Sequence, residues 1–194
     1  MRSTTLIAVV LIGLILTMMG CSKYNSFVEQ EGLVEKAWGE VQSAYQRRAD
    51  LIPNLVNTVK GQADYEKSTL ESVIKARASA TSVNIDPSKL TPEALAQFQQ
   101  AQGQLSSALS RLLVSVERYP ELKANQAFIE LQSQLEGTEN RIKVARDRYN
   151  DAVMKYNVSI RKFPGNFFAT IFGFEEKAMF EAQSGADVAP KVEF

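Results

Sequence analysis

Few kinds of reactive side chain occur in this chain of 194 residues, and the missing kinds bound its chemistry. There is no histidine and a single cysteine, Cys21. Cys/His zinc sites, Ser-His-Asp triads, Cys-His dyads and histidine acid–base steps are excluded together, as is an intrachain disulfide. What remains is one thiol near the start and two polar groupings: Arg47, Arg48 and Asp50, and Glu139, Asn140 and Arg141. Brought together, the two sets could bind a small ligand or a peptide terminus. Equally, they could form an ion-pair and amide network that fixes register and satisfies a backbone broken at Pro53; this structural reading is favoured. Arg48 shares a heptad position with Val34, Val41 and Leu55, so it is predicted to point inward, with Glu139 as its partner. Glu175-Glu176 reads as a solvated pair. Asn157-Val158-Ser159 spells a glycosylation sequon but falls within a helical stretch. There is no glycine-rich phosphate loop, and no cofactor is expected. With 22 basic and 22 acidic residues, the chain has no bulk electrostatic reason to bind nucleic acid or anionic lipid.

Cys21 gains meaning from what precedes it. Arg2 is followed by an unbroken apolar run, Leu6 to Leu16, then Thr17-Met18-Met19-Gly20-Cys21. A short apolar run ending in a small residue and a lone cysteine resembles a bacterial lipobox, with Met18 in place of the usual leucine. Residues 1–20 then form a lipoprotein-type signal peptide. Residues 21–23 begin the mature chain, whose Cys21 carries a thioether-linked diacylglycerol. Cleavage removes one basic and no acidic residue, leaving 21 basic against 22 acidic. Ser22 rather than Asp after the cysteine implies outer-membrane sorting in a Gram-negative host. The main alternative is an uncleaved single-pass anchor, for which the run from Leu6 to Cys21 falls short of the roughly 18–20 residues a span needs. A soluble secreted form is the remaining reading.

The positioning elements are helices. Between Tyr24 and about Thr81, apolar residues recur at three, four and seven: Phe27, Val34, Trp38, Val41, Tyr45, Ile52, Leu55, Val59, Ala63, Leu70 and Val73, one helical stripe. Pro53 predicts a kink or short break near 49–53, with Asp50 capping the restart. A polar link spans 82–90. Thr91-Pro92-Glu93 then starts a helix to about 118, with Leu95, Phe98, Leu105, Leu109, Leu112 and Val116 on its stripe and Gln102 as a polar exception. From about Pro120 to Lys162, Phe128, Leu135, Ile142, Tyr149, Tyr156 and Phe163 recur every seven residues, with Leu131, Ala145, Ala152 and Val153 in a second seam. Short connections favour antiparallel packing within one chain. Asn166 is placed to cap a short helix over 167–172. That piece is crowded with phenylalanines, and forms either a lid on one end of the bundle or a patch facing a partner or membrane. Residues 182–194 read as a flexible tail. The fold class is all-α: an antiparallel bundle of long helices with coiled-coil-like packing, plus a short C-terminal helix.

Several short motifs carry a resemblance. Tyr24-Asn25, Ala37-Trp38, Gln46-Arg47-Arg48 and Asp50-Leu51-Ile52-Pro53-Asn54-Leu55-Val56 resemble the signature of the LemA family. So do Tyr119-Pro120-Glu121-Leu122-Lys123-Ala124-Asn125, Leu131-Gln132, Thr138-Glu139-Asn140, Tyr149-Asn150, Tyr156-Asn157, Phe163-Pro164 and Gly173-Phe174. The resemblance covers about 24–181 in the family's order. It implies an antiparallel helical bundle with an N-terminal membrane anchor, uncleaved in many members, and it brings no catalytic residues. The expected function is a non-enzymatic, membrane-tethered scaffold or adaptor of the bacterial cell envelope, its bundle on the extracytoplasmic side. It would meet the membrane through an N-terminal lipid or apolar anchor and meet protein partners through its helical faces. The alternative is a ligand-binding protein or enzyme with a polar site inside the bundle.

Overall fold

The computed structural model describes residues 2–61 and 66–181, with side chains from Thr5 onward. The expected tail, 182–194, and Ala63 of the stripe lie outside the described residues. The elements are α1 (Arg2–Lys60), α2 (Lys67–Ser82), a 3-10 turn (Pro87–Lys89), α3 (Pro92–Val116), α4 (Pro120–Lys123), α5 (Gln126–Arg161) and α6 (Gly165–Phe172). No strand occurs among the described residues.

Contacts fix the topology. Arg148 pairs with Glu40 and Arg48 with Glu139, so α1 and α5 run antiparallel. Arg77 meets Ala49 while Gln42 meets Asn84, which makes α2 antiparallel to α1. Gln102 meets Ala80 and Arg118 meets Glu66, so α3 returns along α2. The result is an up-down-up-down bundle of four helices. Its seams are the predicted ones: Phe27, Val34, Trp38, Val41, Ile52 and Leu55 on α1 and Leu131, Leu135, Ile142, Tyr149, Val153 and Tyr156 on α5 are all buried.

The break expected at 49–53 is absent. α1 passes through Pro53 without interruption, and the chain instead leaves the helix after Lys60. Proline removes the N–H that the carbonyl four residues back would accept. Here that carbonyl, Ala49 O, accepts from Arg77 Nε on α2 at 2.7 Å. A donor from a neighbouring helix replaces the missing one, so the helix continues. Asp50 caps nothing; its carboxylate accepts from Gln46 Nε2 one turn earlier, at 2.8 Å.

Two further boundaries differ from expectation. The last long helix does not start at Pro120: α4 is a single turn, and α5 begins at a second cap, where Asn125 Oδ1 accepts from the amides of Ala127 and Phe128. That one side chain satisfies two orphaned donors, which makes a fresh start favourable. At the other end α5 stops at Arg161, because Pro164 disfavours helical backbone at the residue before it. Phe163 therefore leaves the seam and is 87% exposed. Asn166 does not cap α6, since it lies inside it, and Pro164 holds the cap position. Thr91, by contrast, caps α3 as expected, accepting from Ala94 N.

After α6, Gly173 takes a left-handed conformation, φ +75°, which favours a residue without Cβ. The chain then doubles back as an extended strap, residues 174–181, along the groove between α1, α5 and the link before α3.

Candidate functional site

The two polar groupings meet through one pair. Arg48 is buried, its side chain only 2% exposed, and its Nη1 lies 2.7 Å from Glu139 Oε1. Nη1 also donates to Ser106 Oγ at 2.9 Å, and Nη2 donates to Gln102 Oε1 at 2.6 Å. Gln102, the polar exception on the α3 stripe, in turn donates to Ala80 O at 3.2 Å. The guanidinium carbon sits 5.0 Å from the Tyr45 ring centroid. One arginine thus ties α1 to α3 and α5 directly, and to α2 through Gln102. Glu139 keeps its side chain 52% exposed, so the charge pair is half solvated rather than sealed.

The remaining candidates lie elsewhere. Arg47, Asp50 and Asn140 are exposed. Arg47 and Asn140 border a shallow outer groove together with Arg141 and Arg148. Adjacent residues on a helix point in different directions, so only Arg48 of its group faces inward. Cys21 is exposed, just past the apolar run.

Beside Arg48 is a polar cleft of about 250 Å³ whose walls include Gln99, Gln102, Ser106, Glu139, Arg146 and Glu181. Its chemistry is that of hydrogen bonding and charge. Burial raises the Tyr45 phenol above its ordinary value, opposed by Arg146 and Arg48, so it remains a protonated hydroxyl at neutral pH. No group of three or more His, Cys, Asp or Glu that could hold a metal occurs among the described residues.

A second polar constellation holds the strap. Asn157 donates to Lys177 O at 2.9 Å and accepts from Lys177 N at 3.0 Å. Asn150 does the same to Phe180, at 3.0 and 2.8 Å. Beside them, the hydroxyl of Tyr156 donates to Glu175 O at 3.0 Å and that of Tyr149 to Ala178 O at 2.7 Å. Burial raises both phenols above their ordinary range, with Glu31 and Glu175 adding to the effect at Tyr156. Lys177 Nζ lies 2.7 Å from Glu31 Oε1 in a mostly buried pair. Phe180 packs on Trp38 and Tyr149, with Arg146 over its ring. Asn157, the residue of the apparent sequon, is buried with its amide engaged. Glu175 and Glu176 are exposed, as expected. The signal for this clamp in the sequence is the Tyr-Asn pair repeated at an interval of seven, at 149–150 and 156–157.

Toward its start α1 is a different object. From Leu6 to Met19 its large apolar side chains are exposed, and the helix is long and apolar enough, by length and composition, to cross a membrane. Thr17 turns its hydroxyl onto Gly13 O at 2.8 Å, meeting its own hydrogen-bond need.

These features define a class: all-α bundles whose first helix begins as an apolar, uncovered segment. The chain belongs to the LemA family, whose defining pattern matches residues 37–194. Among curated proteins it is similar to Magnetosome protein MamQ 2 of Paramagnetospirillum magneticum, 27% identical over 186 residues covering 85% of this chain and 67% of that one. Magnetosome protein MamQ of Magnetospirillum gryphiswaldense is 26% identical over the same lengths and shares. Protein LemA of Metamycoplasma hominis is 23% identical over 158 residues, covering 81% of this chain and 68% of that protein.

Proposed function

We propose that this chain is a non-enzymatic, membrane-tethered helical adaptor of the bacterial cell envelope, anchored by a lipid on Cys21 with its bundle on the extracytoplasmic side. The observation that carries the reading is the continuity of α1. From Cys21 onward one unbroken helix leads straight into the central wall of the bundle, so a lipid on that residue and the core are mechanically one piece. The Arg48 network supports a structural role for the polar residues, because it joins all four bundle helices and directs its charge at a half-exposed carboxylate. The relatives' names carry no reaction. Ser22 favours the outer membrane in a Gram-negative host.

Anchoring is tested at the cysteine. Cys21→Ser should abolish acyl labelling and leave unprocessed precursor. No label in the wild type, with unchanged mobility, overturns the lipid and leaves an uncleaved anchor. The adaptor role is tested by affinity capture from intact membranes, comparing wild type with Arg48→Ala beside a thermal melt. Lower stability with capture intact below the melt supports the structural role of Arg48. Full stability with lost capture points to the cleft beside Arg48 as a ligand site, the second reading.

A further inference from the structure

α6 has two unlike faces. Phe168 and Ala169 are buried, whereas Phe163, just before the helix, and Phe167 and Ile171 within it are 87%, 59% and 59% exposed. A spacing of four puts Phe167 and Ile171 on one side of α6, and Phe163 stands exposed on the turn that leads into it. Uncovered clusters of large apolar groups mark interaction surfaces rather than ordinary monomer surface.

The place of this face in the molecule identifies what covers it. α6 packs on α1 where the apolar run ends. Gly20 is buried under the Phe168 ring, where a Cβ would lie 3.3 Å from the ring edge. Phe172 meets Tyr24 edge-on, with centroids 5.2 Å apart. The link between α2 and α3 meets α1 at Gln42 and, through Lys177, comes as near as Glu31, still about 16 Å along the helix axis from Gly20 by the rise per residue. At the level of Gly20, therefore, α6 is the element flanking α1. Lys23 and Lys162 stand at the same end of the bundle, and cations there suit anionic headgroups.

We infer that α6 is an interfacial helix whose Phe163, Phe167 and Ile171 insert at the boundary of headgroups and acyl chains, holding the bundle against the bilayer at a fixed tilt. The inference rests on the membrane-tethered reading. It holds for either anchor: cleavage before Cys21 removes Gly20 with its contact to Phe168, but the contact of Tyr24 with Phe172 remains, and a lipid on Cys21 or a spanning helix ending near Gly20 puts the bilayer surface at the same level. So short an amphipathic element binds weakly alone. Tethered beside it, the membrane is at high effective concentration, and a weak contact suffices to orient the bundle.

The test uses the full chain in vesicles of phosphatidylethanolamine and phosphatidylglycerol, with or without brominated phosphatidylcholine as a quencher. Flotation reads anchoring, and tryptophan emission reads depth. In the wild type the sole tryptophan, Trp38, is buried in the core well above the bilayer and should be unquenched. Phe167→Trp adds a probe at an exposed position, and Ile171→Trp is a second. Both should float, show blue-shifted added emission, and lose most of that emission to brominated lipid. Floated protein whose added emission is not quenched overturns the interfacial helix while leaving the tether standing, whether or not the chains self-associate through this face. Failure to float overturns both readings.

Discussion

Arg48 divides the interior into two unlike halves. Toward Gly20 the core is aromatic, built around Phe27, Trp38, Phe98, Tyr149, Tyr156 and Phe180. Beyond Arg48 it is aliphatic, with Phe128 as the single aromatic among its buried residues. The difference follows the supply of helices. In the far half four helices converge, and Leu, Ile and Val at heptad spacing fill the seams between them. In the near half α2 has run out and α3 supplies only its first turns, with Leu95 and Phe98, so α1 and α5 close over an irregular strap instead. A strap brings backbone groups that no helix satisfies. Rings are wide enough to bridge the gap, and Tyr and Asn carry the polar tips that the strap's main chain requires.

The comparison can be broken at several points. The largest effects belong to the cores themselves. In a chain beginning at Lys23, which should be soluble and strongly helical, Trp38→Ala in the aromatic half should cost about 3–5 kcal/mol, and Leu112→Ala in the aliphatic half about 2–5 kcal/mol. Denaturant unfolding followed by circular dichroism measures both. A single transition shifted by either variant would mean one cooperative unit, whereas two separated transitions would make the halves independent. Surface-like costs at both positions would show that the seams are misassigned.

Arg48→Ala acts at the boundary. It leaves Gln102 Oε1 buried without its donor and should cost about 1–3 kcal/mol. Glu139→Gln should cost less than Arg48→Ala, since its side chain is half solvated and the guanidinium keeps Ser106 and Gln102. Equal costs would mean the charge pair, not the buried hydrogen bonds, holds the register.

The strap should respond locally. Asn157→Ala removes both bonds to Lys177 and should lower global stability by about 1 kcal/mol, while hydrogen exchange at 175–180 rises far more than exchange in α3. Uniform acceleration through the bundle would mean the strap is integral to the core rather than laid upon it.

The smallest effect is the response to alkali. Burial raises the Tyr149 and Tyr156 phenols, so the folded chain holds protons that the unfolded chain releases. That contribution is complete below the unfolded phenol's pKa of about 10 and is lost as pH rises toward the higher folded values. Melting temperature should fall above that point, and less steeply in Tyr156→Phe. An identical slope would remove Tyr156 as a cause.

Much of this was legible before folding. The three-four-seven spacing located the seams, the phase of Arg48 on its stripe foretold its burial, and the place of Glu139 within a turn of the last helix's inner stripe made it a candidate partner. The unbroken path through Pro53 was not legible, since the donor that rescues Ala49 O comes from Arg77, 28 residues later. Arg47, Asp50 and Asn140 were grouped by proximity in sequence, which on a helix separates directions rather than joining them. The strap left no trace of its own. An extended segment held through its main chain needs no periodic side chains, and its partners lie on another element.

The clamp has a consequence that can be put as a matching of rulers. Moving back seven residues on α5, from Asn157 to Asn150, moves the bonded peptide unit forward three, from Lys177 to Phe180. The tyrosines keep the same ratio, Tyr156 to Tyr149 against Glu175 to Ala178. Seven helical residues advance roughly 10.5 Å, and three extended residues advance about 10 Å. The two lattices are commensurate, so the strap meets α5 like teeth in a rack. A single inserted residue between 177 and 180 would put one tooth out of step, and a whole step of three would restore the fit.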